Sequence, residues 1–316
     1  MRVVSTSSLP IDLAGQVRAQ LPDAVVEVPE DWIGVARCDL SNADGLVCLL
    51  LDRIDEAVLA RAPQLRVIAN CAVGYDNVDV AAATRRGIAV TNTPDVLTDA
   101  TAELTIALML AAARRLTEAE RVVRSGNWVG WRLDQMLGVP IRGRVLGIVG
   151  LGRIGLAVAE RAAGLGMRII YSGPEDVAGF ARVDVDELFA TADVVTLHCP
   201  LTPETHHLVD ARRLGRMKPT AVLVNTARGP CVDVGALADA LGAGKIFAAA
   251  LDVFEGEPQI DPRLLAAPRL VLAPHIGSAT TEARTQMAQL CADGVLAVLT
   301  GTRPPNLVNR EVVLRG

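Results

Sequence analysis

Three polar segments in the second half of the chain carry side chains suited to binding an anion and moving a proton. Arg228 lies in the segment NTARG, Glu257 in LDVFEGEP and His275 in APHIGS. Each segment directly follows a short apolar run, which is the pattern of a buried parallel strand. Open α/β sheets bind ligands at the carboxyl ends of such strands. We therefore expect a guanidinium, a carboxylate and an imidazole to converge at one edge of a sheet.

A glycine-rich segment earlier in the chain has the pattern G-x-G-x-x-G. Its members are Gly150, Leu151, Gly152, Arg153, Ile154 and Gly155. It follows an apolar run at 145–149 and opens a helical pattern at 154–165, which is the context of a dinucleotide-binding turn. The three glycines permit a tight turn, close approach of a pyrophosphate and close helix–strand packing. The helix N-terminus then supplies N–H groups for the phosphates.

The composition limits the class of protein to which these motifs belong. A chain of 316 residues exceeds the usual size of one hydrophobic core, so we expect two domains. Hydrophobic residues make up 51% and charged residues 21%, which is typical of globular proteins. The net charge is -5 with no basic stripe, which argues against a nucleic-acid partner. The uncharged apolar run at 104–113 is too short to span a bilayer and predicts a buried helix rather than membrane association.

The cysteines and the start of the chain predict a cytoplasmic protein. No C-x-x-C pair occurs among the six cysteines, which are Cys38, Cys48, Cys71, Cys199, Cys231 and Cys291. We expect them to be small buried residues in a reducing compartment, so no metal site is predicted, with a metal site or a catalytic thiol as the alternative. The first fifteen residues have no long apolar core or small-residue cleavage site, and they are typical of a strand and turn rather than a signal peptide.

The order of apolar runs and helical patterns predicts two β-α-β series. In the first series we expect strands at 45–51, 66–71 and 88–91, with helices at 54–60 and 80–86. One long helix is predicted at 98–116, followed by irregular chain at 121–140. Six strands suit a complete dinucleotide-binding sheet and are predicted at 145–149, 168–171, 194–198, 222–226, 247–251 and 270–273. A last helix at 280–299 precedes a short Pro-rich tail, which we expect to pack on the first domain.

These segments, together with NCAVGYDN at 70–77, resemble the D-2-hydroxyacid dehydrogenase family. The similarity covers nearly the whole chain and keeps the order of the motifs. The segments at 92–98 and around 128–138 are most similar to the glyoxylate/hydroxypyruvate reductase branch. The resemblance implies an α/β fold with two Rossmann-like domains, each with a parallel sheet, and an active site in the cleft between them. It implies a discontinuous substrate-binding domain at 1–95 plus 280–316 and a dinucleotide-binding domain at 96–279.

The resemblance also implies roles for single residues. Arg228 matches the arginine that holds the substrate carboxylate and keto oxygen, a task that suits a bidentate guanidinium. His275 matches the general acid that protonates the carbonyl oxygen, and Glu257 matches the acid that hydrogen-bonds the second histidine nitrogen. Glu255 is the rival carboxylate, at a position that varies in the motif. The substrate carboxylate also meets backbone N–H groups, and the matching residues are Val73 and Gly74.

The remaining matches concern the cofactor. Asp252 matches a residue that orients the nicotinamide amide. Further positions that line the cofactor in the family correspond to Thr98, Cys199, Pro200, Thr205, Thr226, Ala227, His275 and Gly277. Of the other histidines, we expect His198 to be structural and His206 and His207 to be solvated or at the rim of the cofactor site.

The choice between NAD(H) and NADP(H) depends on the end of the second strand of the nucleotide fold. An acid there binds the ribose 2′-OH and repels a 2′-phosphate. In this chain the strand ends with Ser172 and Gly173, and Glu175 and Asp176 come slightly late. Without the acid we expect NADP(H) to be modestly favoured over NAD(H), with Ser172 as a hydroxyl donor to phosphate.

The predicted function is reduction of a small 2-oxo acid, glyoxylate or hydroxypyruvate first, to the D-2-hydroxy acid. The formate-oxidising branch has glutamine where this chain has Glu257, which argues against that activity. The alternative from another class is a non-catalytic NAD(H)-sensing binding protein of the corepressor type.

The long helix at 98–116 is apolar over much of its circumference and, by the resemblance, predicts a homodimer. Trp128 and Trp131 are candidates for an aromatic lid over a small substrate.

Overall fold

The short apolar runs form parallel strands that assemble into two separate sheets. The computed structural model describes residues 1–314. In chain order the strands are β1 Arg2–Ser5, β2 Val25–Glu27, β3 Gly45–Cys48, β4 Val67–Asn70, β5 Ala89–Thr91, β6 Val145–Val149, β7 Arg168–Ser172, β8 Ala181–Arg182, β9 Val194–Leu197, β10 Val222–Asn225, β11 Ala248–Leu251 and β12 Leu270–Leu272. The helices are α1 Leu13–Gln20, α2 Glu56–Ala60, α3 Val80–Arg85, α4 Thr98–Ala113, α5 Leu116–Arg124, α6 Arg153–Gly164, α7 Val185–Thr191, α8 Ala211–Leu214, α9 Val234–Gly242, α10 Pro262–Ala266 and α11 Thr281–Leu299. The predicted α/β class with two parallel sheets is confirmed.

The chain divides into two units. The first comprises Met1–Leu97 and the chain from Ala279 onward, and the second is Thr98–Ser278. We refer to them below as the outer unit and the inner unit, because the inner one is inserted into the sequence of the other.

The outer unit contains a five-stranded parallel sheet in the order β2-β1-β3-β4-β5. Successive residues of its strands enter two different cores: Val4 and Leu46 pack on one face, while Val3 and Val47 pack on the other. Coverage of both faces explains why these strands are continuous apolar runs rather than alternating ones. Helix α11 packs against β3, β4 and β5 and fills the second core.

The tail after α11 packs on the outer unit, as predicted. Val308 N donates to Val90 O at 2.7 Å, and Val90 N donates to the side chain of Asn309 at 2.8 Å. Asn309 Nδ2 donates to Ile88 O at 2.9 Å. The tail therefore satisfies backbone groups at the β5 edge of the sheet.

The inner unit contains a seven-stranded parallel sheet in the order β12-β11-β10-β9-β6-β7-β8. The six predicted strands are present, and β8 is a two-residue addition that the sequence analysis missed. The strand order changes direction between β6 and β9, which lie side by side although β7 and β8 separate them in the sequence. Ligands of doubly wound sheets bind at such a switch point.

The prediction of a single helix at 98–116 was wrong. Helix α4 ends at Ala113, and α5 begins at Leu116 and continues to Arg124, within the stretch that was expected to be irregular. Arg115 between them has φ +54°, and this left-handed residue turns the chain at the break. The helical pattern continued across 114–116, so it carried no sign of the turn.

The structure also bears on two predictions from composition. All six cysteines are free, and all but Cys71 are fully buried. Within residues 1–314, every helix is either too short or too polar to traverse a lipid bilayer.

Candidate active site

A hydrogen-bonded histidine–glutamate pair lies at the carboxyl edge of the inner sheet. His275 Nδ1 is 2.7 Å from Glu257 Oε2, and the two side chains are 27% and 14% exposed. The other oxygen of Glu257 accepts from Phe254 N at 2.6 Å, which fixes the carboxylate. This arrangement orients the imidazole ring and leaves His275 Nε2 as the ring nitrogen available to a substrate.

Asp252 holds the backbone that follows His275. Its two carboxylate oxygens accept from Ile276 N at 2.8 Å and Gly277 N at 2.7 Å, and its own carbonyl accepts from His275 N at 2.8 Å. His275 has φ +53°, a conformation that a side chain rarely adopts without support. Burial raises the pKa of Asp252 above its ordinary value, while the hydrogen bonds and the charge of His275 act against that rise. The role at the nicotinamide amide that the resemblance implies for Asp252 stays a prediction, and the structure adds contacts that position His275.

The loop that carries Arg228 is held against the loop that carries Glu257. Buried Asn225 accepts from Ala227 N at 3.0 Å and donates to Arg228 O at 2.8 Å, which forms a tight turn after β10. A Cβ at Gly229 would lie 1.9 Å from Phe254 C, so only glycine allows this approach. The three side chains predicted from separate segments thus occur on loops that are neighbours in the inner unit.

The glycine-rich turn has the geometry that a dinucleotide needs. Gly150 has φ +91°, and a Cβ there would lie 2.8 Å from Cys199 N. A Cβ at Gly155 would lie 2.4 Å from Gly150 O, whereas a Cβ at Gly152 would meet nothing within 4 Å. The first turn of α6 therefore packs on β6 while its N-terminus faces open space. First-turn N–H groups have no partner within a helix, so they can donate to a pyrophosphate.

The end of β7 carries no carboxylate in the sequence position that would bind a ribose. Ser172 O accepts from Gly150 N at 2.9 Å, and a Cβ at Gly173 would make only ordinary contacts at 3.8 Å and beyond. The loop that follows is anchored on buried Tyr171, whose hydroxyl accepts from Val177 N at 2.7 Å and donates to Glu175 O at 3.0 Å. Asp176 is paired with Arg182 at 3.0 Å.

The other predicted cofactor positions lie at the same edge of the inner sheet or at the start of α4. Thr226 Oγ1 is 2.9 Å from Thr105 Oγ1 of α4, and Thr101 Oγ1 donates to Gly277 O at 3.2 Å. Thr205 Oγ1 donates to Pro200 O at 2.7 Å. The remaining positions of this set are Thr98 at the start of α4, Leu151, Arg153 and Ile154 in the glycine-rich turn, Cys199 after β9 and Ala227 after β10.

His198 belongs to the sheet rather than to the reaction. Its Nε2 is 3.0 Å from Thr196 Oγ1. Desolvation lowers the pKa of His198 to about 3, so its ring is neutral at neutral pH.

Val73 and Gly74 lie in the outer unit, on the loop after β4. Asn92 Nδ2 donates to Val73 O at 2.7 Å, and Asn70 Nδ2 donates to Gly74 O at 2.9 Å. Across the described residues 1–314, no hydrogen bond engages the N–H group of either loop residue. The amides thus hold the carbonyl groups and leave both N–H groups available to an anion.

Several side chains that build these loops escaped the sequence analysis. Asn77 Nδ2 donates to Leu49 O at 3.2 Å, to Asp52 O at 3.0 Å and to Asn70 Oδ1 at 3.0 Å. Asp52 is 2% exposed and accepts from four donors, which are Thr6 Oγ1, Trp32 Nε1, Val35 N and Leu49 N. The sequence signal that could have identified them is a polar residue soon after a buried strand. Such a residue lies in a loop whose backbone groups need hydrogen-bond partners.

Comparison with known proteins agrees with this geometry. The description "D-isomer specific 2-hydroxyacid dehydrogenase, NAD binding domain" matches residues 106–277. A glyoxylate reductase of Thermococcus litoralis is 50% identical over 290 residues, with 89% of this chain and 88% of that protein covered. A glyoxylate reductase of Aeropyrum pernix is 53% identical over 284 residues, with 86% and 84% covered.

A solved structure from Sinorhizobium meliloti extends the similarity to the whole fold. It is an NADPH-dependent glyoxylate/hydroxypyruvate reductase in complex with NADP and malonate, with a TM-score of 0.87 and 34% sequence identity. The match covers 100% of this chain and 98% of that one. The chain belongs to the D-isomer specific 2-hydroxyacid dehydrogenase family, in its glyoxylate reductase branch.

Proposed function

We propose that the protein reduces glyoxylate, hydroxypyruvate or a similarly short 2-oxo acid to the D-2-hydroxy acid, with a nicotinamide dinucleotide as hydride donor. The observation that carries the proposal is the His275–Glu257 pair on a loop next to that of Arg228, at the sheet edge that also bears the glycine-rich turn. The relatives named glyoxylate reductase support the same reaction.

In this reaction each catalytic residue has one task. The guanidinium of Arg228 binds the carboxylate and the keto oxygen of the substrate and polarises the carbonyl. His275 donates the proton from Nε2 to the carbonyl oxygen, and Glu257 holds the ring through Nδ1. Val73 N–H and Gly74 N–H bind the substrate carboxylate. The reduced nicotinamide supplies the hydride to the carbonyl carbon.

Loss of absorbance at 340 nm tests the reaction directly. Protein, reduced cofactor and a panel of short 2-oxo acids are mixed, and kcat/KM is compared across the panel. We expect turnover in the enzymatic range of about 1–10³ per second with glyoxylate or hydroxypyruvate. Turnover below about 1 per minute with every acid would favour the NAD(H)-sensing binding protein instead.

We further propose that the cofactor preference is modest and favours NADP(H). Gly173 leaves no carboxylate to repel a 2′-phosphate, and Asp176 is engaged by Arg182 rather than standing free. The Sinorhizobium meliloti reductase, whose structure is similar, is NADPH-dependent. A ratio of kcat/KM for NADPH to that for NADH between about 1 and 10 is expected, since Gly173 is followed by Pro174, Glu175 and Asp176 and not by an arginine.

We assign the substrate-binding domain to the outer unit and the dinucleotide-binding domain, which also carries Arg228, Glu257 and His275, to the inner unit. The Val73–Gly74 loop belongs to the former, and the glycine-rich turn belongs to the latter. The cytoplasmic location inferred from the composition stays a prediction.

We also propose a homodimer, and we add the chain that follows α4 to the helix that the resemblance implies as its contact. Helix α4 packs its apolar residues on its own unit, where Ala102, Leu108, Met109 and Ala112 are buried. Seven large apolar residues in the stretch that follows it stay more than half exposed, and they are Leu116, Val123, Trp128, Val129, Trp131, Leu133 and Leu137. Exposed apolar residues concentrated in one stretch are typical of an interaction surface.

Light scattering at micromolar concentration measures the assembly. We expect about twice the 33.3 kDa of one chain. A Trp131→Ser, Leu133→Ser double variant should shift the mass toward one chain, and a monomeric wild type contradicts the proposal.

A further inference from the structure

One cluster outside the catalytic set brings together three side chains that commonly bind metals. His206, His207 and Glu255 each offer one ligand atom, and these atoms all lie within 4.8 Å of one another. His207 Nε2 is 3.1 Å from Glu255 Oε2, and His206 Nε2 is 3.8 Å from Glu255 Oε1. We propose that this cluster is a binding site for a divalent transition-metal ion, with Zn²⁺ as its occupant.

The ligand types favour zinc over the harder cations. Two imidazole nitrogens with one carboxylate oxygen form a common protein ligand set for Zn²⁺, whereas Mg²⁺ and Ca²⁺ prefer oxygen alone. Three protein ligands leave a fourth position for water, as in open zinc sites.

The distances suit a tetrahedral ion. With bonds of about 2.0–2.2 Å, two ligand atoms of a tetrahedral zinc site lie roughly 3.4 Å apart. His207 Nε2 is 3.1 Å from Glu255 Oε2 and His206 Nε2 is 3.8 Å from Glu255 Oε1, so the three side chains lie near this spacing, and they must rotate to direct one ligand atom each at a single ion. The side chains of His206, His207 and Glu255 are 51%, 38% and 41% exposed, which gives a hydrated ion direct access.

The backbone explains how two adjacent residues present their rings together. His207 has φ +49°, which lies in the left-handed region of backbone conformation that few residues other than glycine adopt. Its N–H donates to Pro230 O at 2.7 Å, which fixes this conformation. The two rings stack with centroids 4.1 Å apart and an interplanar angle of 29°. The left-handed conformation of His207 thus places its ring beside that of His206.

The cluster joins two loops at the carboxyl edge of the inner sheet. Both histidines follow β9, and Glu255 follows β11, two residues before Glu257. A bound ion would therefore tie the loop of Glu257 to the loop after β9. Binding itself does not depend on which 2-oxo acid the protein reduces, so it can be tested separately.

Isothermal titration of the metal-free protein with Zn²⁺ measures the site. We expect one equivalent to bind with a dissociation constant on the order of micromolar, and thermal unfolding to shift upward by about 5 °C at saturating metal. Titration with Co²⁺ identifies the ligands, because nitrogen and oxygen ligands give no thiolate-to-cobalt charge-transfer band.

Four variants separate this cluster from other sources of binding. Glu255→Gln and His207→Asn should each weaken Zn²⁺ binding by more than about tenfold, and asparagine tolerates the left-handed backbone of His207. Glu204→Gln removes an exposed acid of the same loop and should bind Zn²⁺ as the wild type does. His275→Ala removes the catalytic imidazole and should also leave Zn²⁺ affinity unchanged. Circular dichroism of the metal-free variants checks their folding.

The results that overturn the proposal are distinct from those that overturn the proposed reaction. A wild type that binds no Zn²⁺ at millimolar concentration overturns it, as does binding that is lost in His275→Ala but kept in Glu255→Gln. A thiolate-to-cobalt band with unchanged affinity in both ligand variants assigns the ion to the cysteines and also overturns it. Each of these outcomes leaves the reduction of 2-oxo acids untouched.

Discussion

The loops at the carboxyl ends of the two parallel sheets are held together by different kinds of side chain. In the outer unit the loop after β4 is built by neutral amides, with Asn70, Asn77 and Asn92 bonded to carbonyl oxygens and to one another. In the inner unit the corresponding edge carries ionisable side chains, with Asp252, Glu257 and His275 bonded to one another's backbone or side chains.

The difference follows from what each loop must offer. A loop that binds an anion through N–H groups needs its carbonyl groups turned away, and amide nitrogens achieve this without adding a charge next to the ligand. A loop that transfers a proton needs a group that can ionise and a partner that orients it. The carboxyl edge of a parallel sheet can therefore serve binding or catalysis, depending on whether the side chains of its loops carry charge.

The largest effect is expected at the proton donor of the charged loop. His275→Ala should lower kcat by roughly 10²–10⁴-fold, because only proton transfer is removed. The dissociation constant of NADPH, measured by fluorescence, is the internal control and should stay the same. A variant within threefold of the wild-type kcat would end the assignment.

A change from asparagine to the isosteric aspartate in the loop after β4 should destabilise the outer unit. Asn77→Asp replaces an amide nitrogen that faces three oxygens with an oxygen, so three hydrogen bonds are lost and only the bond that Asn70 Nδ2 donates to the other side-chain oxygen is kept. We expect the free energy of unfolding to fall by about 2–4 kcal/mol in urea titrations. The matched control is Asn127→Asp on the exposed surface, which should change stability by less than about 0.5 kcal/mol. Equal effects at both positions would show that the amide network does not hold the loop.

Arg228→Lys tests whether planar geometry, and not charge alone, matters at the charged edge. Lysine keeps the positive charge but loses the fork, so KM for the 2-oxo acid should rise and kcat should fall. The combined loss in kcat/KM should be roughly 10–100-fold, on the scale of a charged hydrogen bond. If cofactor affinity collapses while KM for the acid is unchanged, Arg228 belongs to the cofactor site.

Asp252→Asn makes the opposite change to Asn77→Asp, from a carboxylate to an amide, in the loop after β11 of the inner unit. The carboxylate accepts two backbone N–H groups, and an amide can accept with only one oxygen while its NH₂ group faces the other N–H. We expect a stability loss of about 1–2 kcal/mol and a fall in kcat, because His275 is no longer held in place. A fall in cofactor affinity with unchanged kcat would instead favour the role at the nicotinamide amide.

The smallest effect concerns the cofactor. Gly173→Asp restores an acid at the end of β7, where the added side chain meets only ordinary contacts. The ratio of kcat/KM should move toward NADH by about tenfold if the repulsion of a 2′-phosphate is worth about 1.4 kcal/mol. A wild type that already prefers NADH by more than tenfold would show that an acid of the following loop reaches the ribose.

The sequence alone was sufficient for most of the strands and for the segments that carry the charged residues, but the short strands β2 and β8 were missed. Buried parallel strands are continuous apolar runs, and each reactive residue follows one of them directly, so both could be recognised. The break between α4 and α5 could not, because residues 114–116 continue a helical pattern and the turn depends on the backbone of Arg115. Strand β8 has only two residues and lacks a pattern of its own.

The parts of the site that escaped prediction depend on contacts between distant segments. Asp252 bonds to residues 24 and 25 positions away, and the Glu255 cluster depends on a histidine 48 positions earlier in the chain. No periodicity or local motif encodes such pairs. The role that the resemblance implies for Asp252 at the nicotinamide amide stays a prediction beside these hydrogen bonds.

The insertion of one unit into the other has a consequence for synthesis on the ribosome. The inner unit is continuous in sequence and contains both of its own cores. Strands β1 to β5 of the outer unit precede the inner unit in the chain, yet one core of the outer unit needs α11 and its β5 edge needs Asn309, which follow the inner unit. Since chains fold from the N-terminus as they emerge, these strands stay incomplete while the inner unit folds. Strands β1 to β5 thus leave the ribosome before the inner unit but reach their native surroundings after it, and their apolar residues need protection from aggregation during that interval.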